Sequence, residues 1–150
     1  MLSKKAQYSV LALVRLAKAY QKGPLLIRDI SKTEQIPRKF LETILLELRK
    51  QGILGSKKGK GGGYFLIKDP KEVNLADIIR HFDGAIALMP CVTYKYYQPC
   101  LHGKDEPTCG IRSIIKDIRD DMVRILKNTT LSDILAREAQ LENDALNFIK

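Results

Sequence analysis

Apolar residues recur every three or four positions along most of the chain, and the breaks in that pattern divide it into elements. From Ser3 to about Lys22, Tyr8, Leu11, Val14 and Leu16, with Ala12 and Ala19, form the apolar face of a helix that Ser3 is placed to cap. Gly23-Pro24 stops it. Leu26 to Thr33 has the length of a two-turn helix, with Ile27 and Ile30 flanking Arg28 and Asp29. Pro37 suits the first turn of the next helix, where its missing N–H would have no partner anyway. That helix is predicted to reach Gln51, with Phe40, Leu41, Ile44, Leu45 and Leu48 as one buried stripe and Gly52 as a left-handed stop.

The period then shortens. Ile53-Leu54 and Tyr64 to Ile67 are brief apolar runs around a glycine-rich tip, the pattern of a β-hairpin, which Asp69-Pro70 closes. Val73 to Phe82 returns to helical spacing, with Asn74 as cap and Leu75, Ile78, Ile79 and Phe82 facing inward. Helix, short helix, helix, hairpin, helix is the order of a winged helix-turn-helix.

Residues 83–106 lose the period. They hold Gly84, Pro90, Pro99, Gly103 and two cysteines, while Met89, Tyr94, Tyr96 and Tyr97 make the stretch too apolar for a disordered linker. A loop of this length inside a small protein points to function. Pro107 opens a long helix to about Asn128, striped by Ile111, Ile114, Ile115, Ile118, Met122 and Ile125, with Asp117, Arg119, Asp120 and Arg124 mostly off the stripe. Placed after a complete small domain, this stripe has little left in its own subunit to cover it. A partner helix from a second subunit is therefore expected, the alternative being that it folds back on the first helix. Thr130 to about Leu141 forms a further helix that packs through Leu131, Ile134 and Leu135, and the last nine residues carry no clear pattern. The expected architecture is mostly α with a small β-wing. It comprises a winged helix-turn-helix domain over 1–83, a cysteine-bearing loop over 84–106, and dimerisation and C-terminal helices over 107–150.

Composition changes this picture in one respect. With 150 residues, 45% hydrophobic and 29% charged, the chain is ordinary for a globular protein. No apolar stretch approaches the roughly 20 residues that span a membrane. The opening MLSKKAQYSVLALV has the two lysines and apolar run of a secretion signal, but Arg15 and Lys18 interrupt it and no small-residue cleavage site follows, so a cytoplasmic protein is expected. The distribution of the net charge of +9 is what adds information: residues 1–68 carry fifteen Lys or Arg against four Asp or Glu, whereas residues 69–150 carry eleven against thirteen. The basic excess belongs wholly to the winged-helix half, as a polyanion partner for that half would require.

The outward first turns of the helix after Pro37 present Arg38, Lys39, Glu42 and Thr43. Arginine and lysine donate to guanine O6 and N7, threonine offers a hydroxyl and a methyl, and glutamate accepts from cytosine N4. An ordinary solvated face is the alternative for each. The hairpin tip crowds Lys57, Lys58 and Lys60 among glycines, Gly62 included. Clustered lysines repel one another and glycines lose entropy on ordering, so folding does not call for this combination, while phosphate contact and close backbone approach do. A nucleotide phosphate loop is excluded, because GKGGGY lacks the required spacing and no helix follows it. Arg28 joins these residues as an expected DNA contact.

Cys91, Cys100 and Cys109 have eight residues between each successive pair. Zinc sites usually contain a pair two to four residues apart, which this chain lacks. Iron–sulfur clusters also take thiolate ligands, and a loop can deliver three from spaced positions. Spacing alone favours unengaged thiols over a cluster, and leaves His102 open as either a fourth ligand or an exposed histidine. With only two histidines, and no nucleophile elbow, HExxH or dinucleotide fingerprint, no enzyme and no small-molecule substrate are expected.

The segment ISKTEQIPRKFLETILLELRKQGILGSKKGKGGGYFLIKDPKEVNLADIIRHFDG is similar, nearly position by position, to the Rrf-two family of bacterial winged-helix regulators. The pattern LExxLxxLRKxGxxxSxxGxxGGY runs from Leu41 to Tyr64, and the three cysteines and TTLSDIL at Thr129 to Leu135 also resemble the family, over roughly residues 1–135. The resemblance implies a homodimer whose long helices cross and which binds an imperfect palindromic operator in double-stranded DNA. It places the base-reading positions on Lys39, Phe40, Glu42 and Thr43, and the family's wing arginine position on Lys58. In its cluster-binding members three loop cysteines hold a [2Fe-2S] or [4Fe-4S] cluster, which would make Cys91, Cys100 and Cys109 the ligands here, and cluster state sets DNA affinity. This chain departs from the family in its fourth ligand. One branch has a histidine where this chain has Arg112; another uses a first-helix carboxylate from the other subunit, where this chain has Gln7. His102, Gln7, Asp105 or Glu106, and an exogenous ligand all stay open. The alternative function is a metal-free winged-helix repressor controlled by thiol chemistry or a partner protein.

Overall fold

The first helix lies at the centre of the molecule. In the computed structural model, which describes residues 1–102 and 105–148, helix α1 (Lys4–Lys18) packs against the three other helices of the amino-terminal half, the second strand of the wing and the last helix. Gly103 of the loop and residues 149–150 of the carboxy-terminal segment lie outside the described residues. The Ser3 hydroxyl accepts the Ala6 N–H at 3.1 Å and caps α1 as its sequence predicts. The helix closes earlier than Lys22, at Ala19, because Gln21 turns left-handed (φ +60°) ahead of Gly23. Its buried side is Ala6, Ser9, Ala12, Leu13, Leu16 and Ala17, whereas Leu11, expected inside, is exposed. Neighbours on several sides select the small residues, which let them approach closely.

Helices α2 (Ile27–Glu34) and α3 (Arg38–Lys50) are joined by a turn in which Gln35 is left-handed and Ile36 is buried. Pro37 sits one position earlier than its sequence suggests. It is the cap of α3, its carbonyl accepting the Leu41 N–H at 3.0 Å. Leu41, Ile44, Leu45 and Leu48 are fully buried, each stabilising the fold by about 1.5–3 kcal/mol relative to an exposed side chain. Phe40 does not belong to that stripe. It is 42% exposed at its edge and meets only the rim of the core, edge-on to Tyr8 with ring centroids 5.6 Å apart.

After Gly52 (φ +69°), strands β1 (Leu54–Lys57) and β2 (Gly63–Leu66) pair antiparallel, Leu54 opposite Leu66 and Lys57 opposite Gly63. A third piece of sheet has no signature in the sequence: Leu25 and Tyr64 exchange both main-chain hydrogen bonds, each 2.8 Å, tying the wing to the entry of α2. Gly63 permits this. At φ +136° a Cβ there would collide with the Leu25 carbonyl.

Helix α4 (Leu75–Asp83) is capped by Asn74, whose side chain accepts the Asp77 N–H at 3.0 Å. The long helix α5 (Gly110–Asn128) begins three residues later than Pro107, which lies instead in a 3-10 turn, Glu106–Thr108. Helix α6 (Leu131–Phe148) runs well past Leu141. Its start is stitched to the entry of α4, with Leu131 N–H donating to the Val73 carbonyl at 2.9 Å and Leu75 N–H to the Thr129 carbonyl at 3.0 Å. Leu131 is fully buried in the same core as Leu13 and Leu45, Ile134 and Leu135 pack beside it, and Lys18 pairs with Glu138 at 2.7 Å. The start of the last helix thus completes the winged-helix core.

Two outcomes follow. Leu131→Ala should destabilise the whole winged helix by about 2–5 kcal/mol in denaturant unfolding; an unfolding midpoint unchanged within error would place α6 outside the cooperative unit. The Thr130 N–H and hydroxyl both donate to the Asp133 carboxylate, at 2.8 and 2.6 Å, and hold its pKa below the ordinary value. The fold therefore favours the charged form. Its contribution is present above the ordinary carboxylate range and lost as pH falls through the lowered value. Amides at the start of α6 should lose protection, measured against their intrinsic exchange rates, on that acid side, and Asp133→Asn should remove this pH dependence of protection.

Candidate nucleic-acid interface and thiol cavity

Burial of Leu41, Ile44, Leu45 and Leu48 turns the opposite face of α3 outward, so Arg38, Lys39, Phe40, Glu42 and Thr43 are all exposed. Arg38 pairs with Glu42 across one turn at 3.3 Å, and the Thr43 hydroxyl leans back to the Lys39 carbonyl at 3.4 Å. Exposed ion pairs of this kind contribute little to stability, so both partners are free to exchange it for a base edge. Arg28 on α2 is exposed beside Asp29, 3.3 Å away. At the wing, Lys57, Lys58 and Lys60 are exposed. Arg49, at the end of α3, donates to the Ser56 hydroxyl at 3.0 Å and fixes the root of the wing against the reading helix. Gly62 takes a different place from the DNA contact expected of it. It is buried, its N–H closes the tip on the Gly59 carbonyl at 3.0 Å, and a side chain there would strike the Lys57 carbonyl.

The three cysteines, eighteen positions apart from first to last, border one apolar cavity of about 190 Å³ together with Met89, His102, Glu106, Ile111 and Arg112. Cys91 is buried in a 3-10 turn, Pro90–Val92, whereas Cys100 and Cys109 are half-buried, and all three are free thiols. Cys109 caps α5, its Sγ accepting the Arg112 N–H at 3.5 Å. Among the described residues no three His, Cys, Asp or Glu side chains stand close enough together to hold a metal ion as they are placed. The loop's irregular path sets the spacing of the thiols, for only two short 3-10 turns order it. The donor set itself, three soft thiols and an imidazole on one apolar cavity, fits an iron–sulfur group. Asp105 does not line this cavity. Gln7 lies on α1 with its amide donating to the Leu2 carbonyl at 2.7 Å, and among the described residues it does not line the cavity.

Four residues around the cavity were not singled out by sequence patterning as structural contacts. Glu106 accepts from the Tyr97 hydroxyl and pairs with Arg112 at 3.3 Å. That hydrogen bond pushes the Tyr97 pKa above its ordinary value. Arg119, expected on the outer side of α5, is instead its one buried residue among those described. The seven-residue spacing of Arg112 and Arg119 was visible in the chain, but the carbonyls they reach were not.

A two-helix reading unit and a basic two-stranded wing tied by a β-bridge to Leu25 define a winged helix-turn-helix DNA-binding protein. Comparison with known proteins narrows the class. The model of the Rrf2 family, described as an iron-dependent transcriptional regulator, matches residues 2–137. An Rrf2-like HTH-type transcriptional regulator of Rhodobacter capsulatus is 38% identical over 139 residues, covering 91% of this chain and 93% of its own. The HTH-type transcriptional regulator IscR of Photorhabdus laumondii is 30% identical over 141 residues, covering 94% and 82%. The solved structure of CymR, the global cysteine regulator of B. subtilis, is similar with a TM-score of 0.77 at 28% identity, covering 91% of this chain and 97% of that one. The chain belongs to the Rrf2 family of transcription regulators, and these relatives are regulators rather than enzymes. No helix among the described residues is long and apolar enough to cross a membrane.

Lys58→Ala should weaken binding to every duplex and reduce the salt dependence by about one unit of slope, measured by fluorescence anisotropy across a salt series. A loss confined to one sequence would mean that Lys58 reads bases instead.

Proposed function

We propose that the chain acts as a homodimer on an imperfect palindromic operator, and that Cys91, Cys100 and Cys109 hold an iron–sulfur cluster whose loading sets DNA affinity. The observation that carries this reading is that thiols so far apart in sequence border one cavity at the start of α5. The match to a family described as iron-dependent supports it. When bound, a cluster would supply a centre that reacts with oxidants, oxygen or nitric oxide. The rest is done by the chain's own residues. Cys109 Sγ holds the first turn of α5 through the Arg112 N–H, so a change in the bonding of that sulfur is felt at the helix start. Glu106 is held by Tyr97 and Arg112 at the cavity's edge, and with His102 supplies a further donor within reach of the loop.

The dimer is supported by α5 itself. Ile111, Ile114, Ile118 and Ile125 lie at helical spacing and are 62%, 62%, 45% and 58% exposed. An apolar stripe along a 19-residue helix is the surface a second copy would cover. Two reading heads joined in this way would match the two halves of a palindrome.

Anaerobically purified protein should be brown, with visible absorbance and stoichiometric iron and sulfide, and Cys100→Ala should lose most of that colour. A Cys100→Ala variant with full absorbance would refute the ligand assignment. A colourless wild-type protein that still regulates would favour the metal-free, thiol-controlled alternative. Ile118→Asp should shift the protein from dimer to monomer in light scattering and weaken operator binding at least tenfold (about 1.4 kcal/mol). A variant that stays dimeric would place the interface elsewhere.

A further inference from the structure

The thiol loop and α5 are joined by more than the peptide chain. Arg112 and Arg119 are two turns apart on α5 and project from one face. They hold consecutive carbonyls of the turn that carries the first cysteine. Arg112 Nε donates to the Cys91 carbonyl at 3.2 Å, and Arg119 Nη1 donates to the Val92 carbonyl. Both of those loop residues are buried.

Arg119 inverts the usual order of a helix: it is 3% exposed while Ile111, Ile114, Ile118 and Ile125 face outward. Its charge is answered by Asp120 at 2.6 Å, and its guanidinium lies 4.1 Å from the centre of the Tyr94 ring and donates to the Tyr94 hydroxyl at 3.0 Å. Its Nε has no hydrogen-bond partner among the described residues. For stability alone this is a poor choice, since an apolar side chain of similar volume does as well or better and an orphaned buried donor adds cost. What the buried fork provides is position. It fixes the Val92 carbonyl and, through Tyr94, the following strand of loop against one turn of α5.

We infer, taking the thiol loop as the sensing element proposed above, that Arg112 and Arg119 are positioning residues that pass the conformation of the Cys91 turn to α5. A change in what Cys91 Sγ bonds to moves its own carbonyl and the next one together. Two planar forks anchored two turns apart convert that movement into a tilt of the helix, because neither can follow its carbonyl alone without breaking its other contacts. The exposed isoleucines lie about a third of a turn around α5 from the two arginines, and Ile111 borders the thiol cavity beside Arg112, so the tilt is delivered to the surface that orients the second subunit. The tilting helix is thus the bistable element through which loop and interface are coupled.

The test needs no iron. Thiols of the full-length protein are capped with methyl methanethiosulfonate, and amide exchange is followed over residues 110–122 by mass spectrometry. In the wild type, capping should change exchange there by about fivefold or more, and dithiothreitol should reverse it. Arg112→Gln, at a half-exposed position that tolerates substitution, should cap the same number of thiols but lose most of the change in α5. Arg119→Gln should lose it as well, and Arg119→Lys, which keeps one charged donor, should restore part of it. A purely structural role would instead raise exchange in capped and uncapped protein alike and leave their ratio intact. An unresponsive α5 in the wild type, or a full response in Arg112→Gln, would overturn the inference. Iron and sulfide uptake, measured separately, decides the cluster reading, so either can fail without the other.

Discussion

The packing of the α3 stripe onto α1 is the constraint from which the rest of the molecule follows. Leu41, Ile44, Leu45 and Leu48 are wholly removed from water against Leu13 and Leu16, and a helix that commits one face so completely has no freedom to rotate. The first turns of α3 are therefore fixed outward, and the wing root is fixed with them through Arg49 and the Leu25–Tyr64 pairing. The fold presents its cations on a rigid support. A DNA reader needs this, because base-edge contacts depend on angles and distances that a mobile helix would not hold.

The same core reaches across the sequence to the far end of the chain. Leu131 enters it, and the two main-chain bonds between the entries of α4 and α6 close the circuit. The long helix α5 is thus held by the core at its end through Thr129 and Leu131, by the thiol loop at its start through Cys109 and Arg112 and at its middle through Arg119, and by α4 along one side. Between those anchors its apolar face is left to solvent in the protomer. A helix packed on α4 along one side and open to solvent along its isoleucines is suited to pass a change from the loop to that open surface without disturbing the reading head that the core immobilises.

The thiol loop differs in kind from the core. It has little regular structure and few main-chain bonds of its own, and it is attached through side chains: two arginines, two tyrosines and a glutamate. Side-chain attachments break and re-form at lower cost than a hydrophobic core repacks. Rigid reader and adjustable loop therefore occupy separate parts of the chain, and the net positive charge lies with the first.

Much of this was legible in the chain because it depends on local periodicity. The α3 stripe, the Ser3 and Asn74 caps, the Gly52 stop, the hairpin around its glycine tip and the isoleucine stripe of α5 are all decided by neighbours within a few positions. The sequence also fixed which residue types are available for phosphate and for soft-metal chemistry. What it left undecided required contact between distant segments. Phe40 and Leu11 were misplaced because a helical period says that one face is buried but not how wide that face is, which depends on the neighbours that pack against it. The Leu25–Tyr64 bridge and the Val73–Leu131 stitch are local main-chain pairings with no pattern to reveal them. Arg119 reads as a surface residue in any helical projection, and only the loop folding over α5 buries it. The meeting of three evenly spaced thiols on one cavity was likewise settled by the path of the loop, because spacing along a chain without a regular period carries no distance in space.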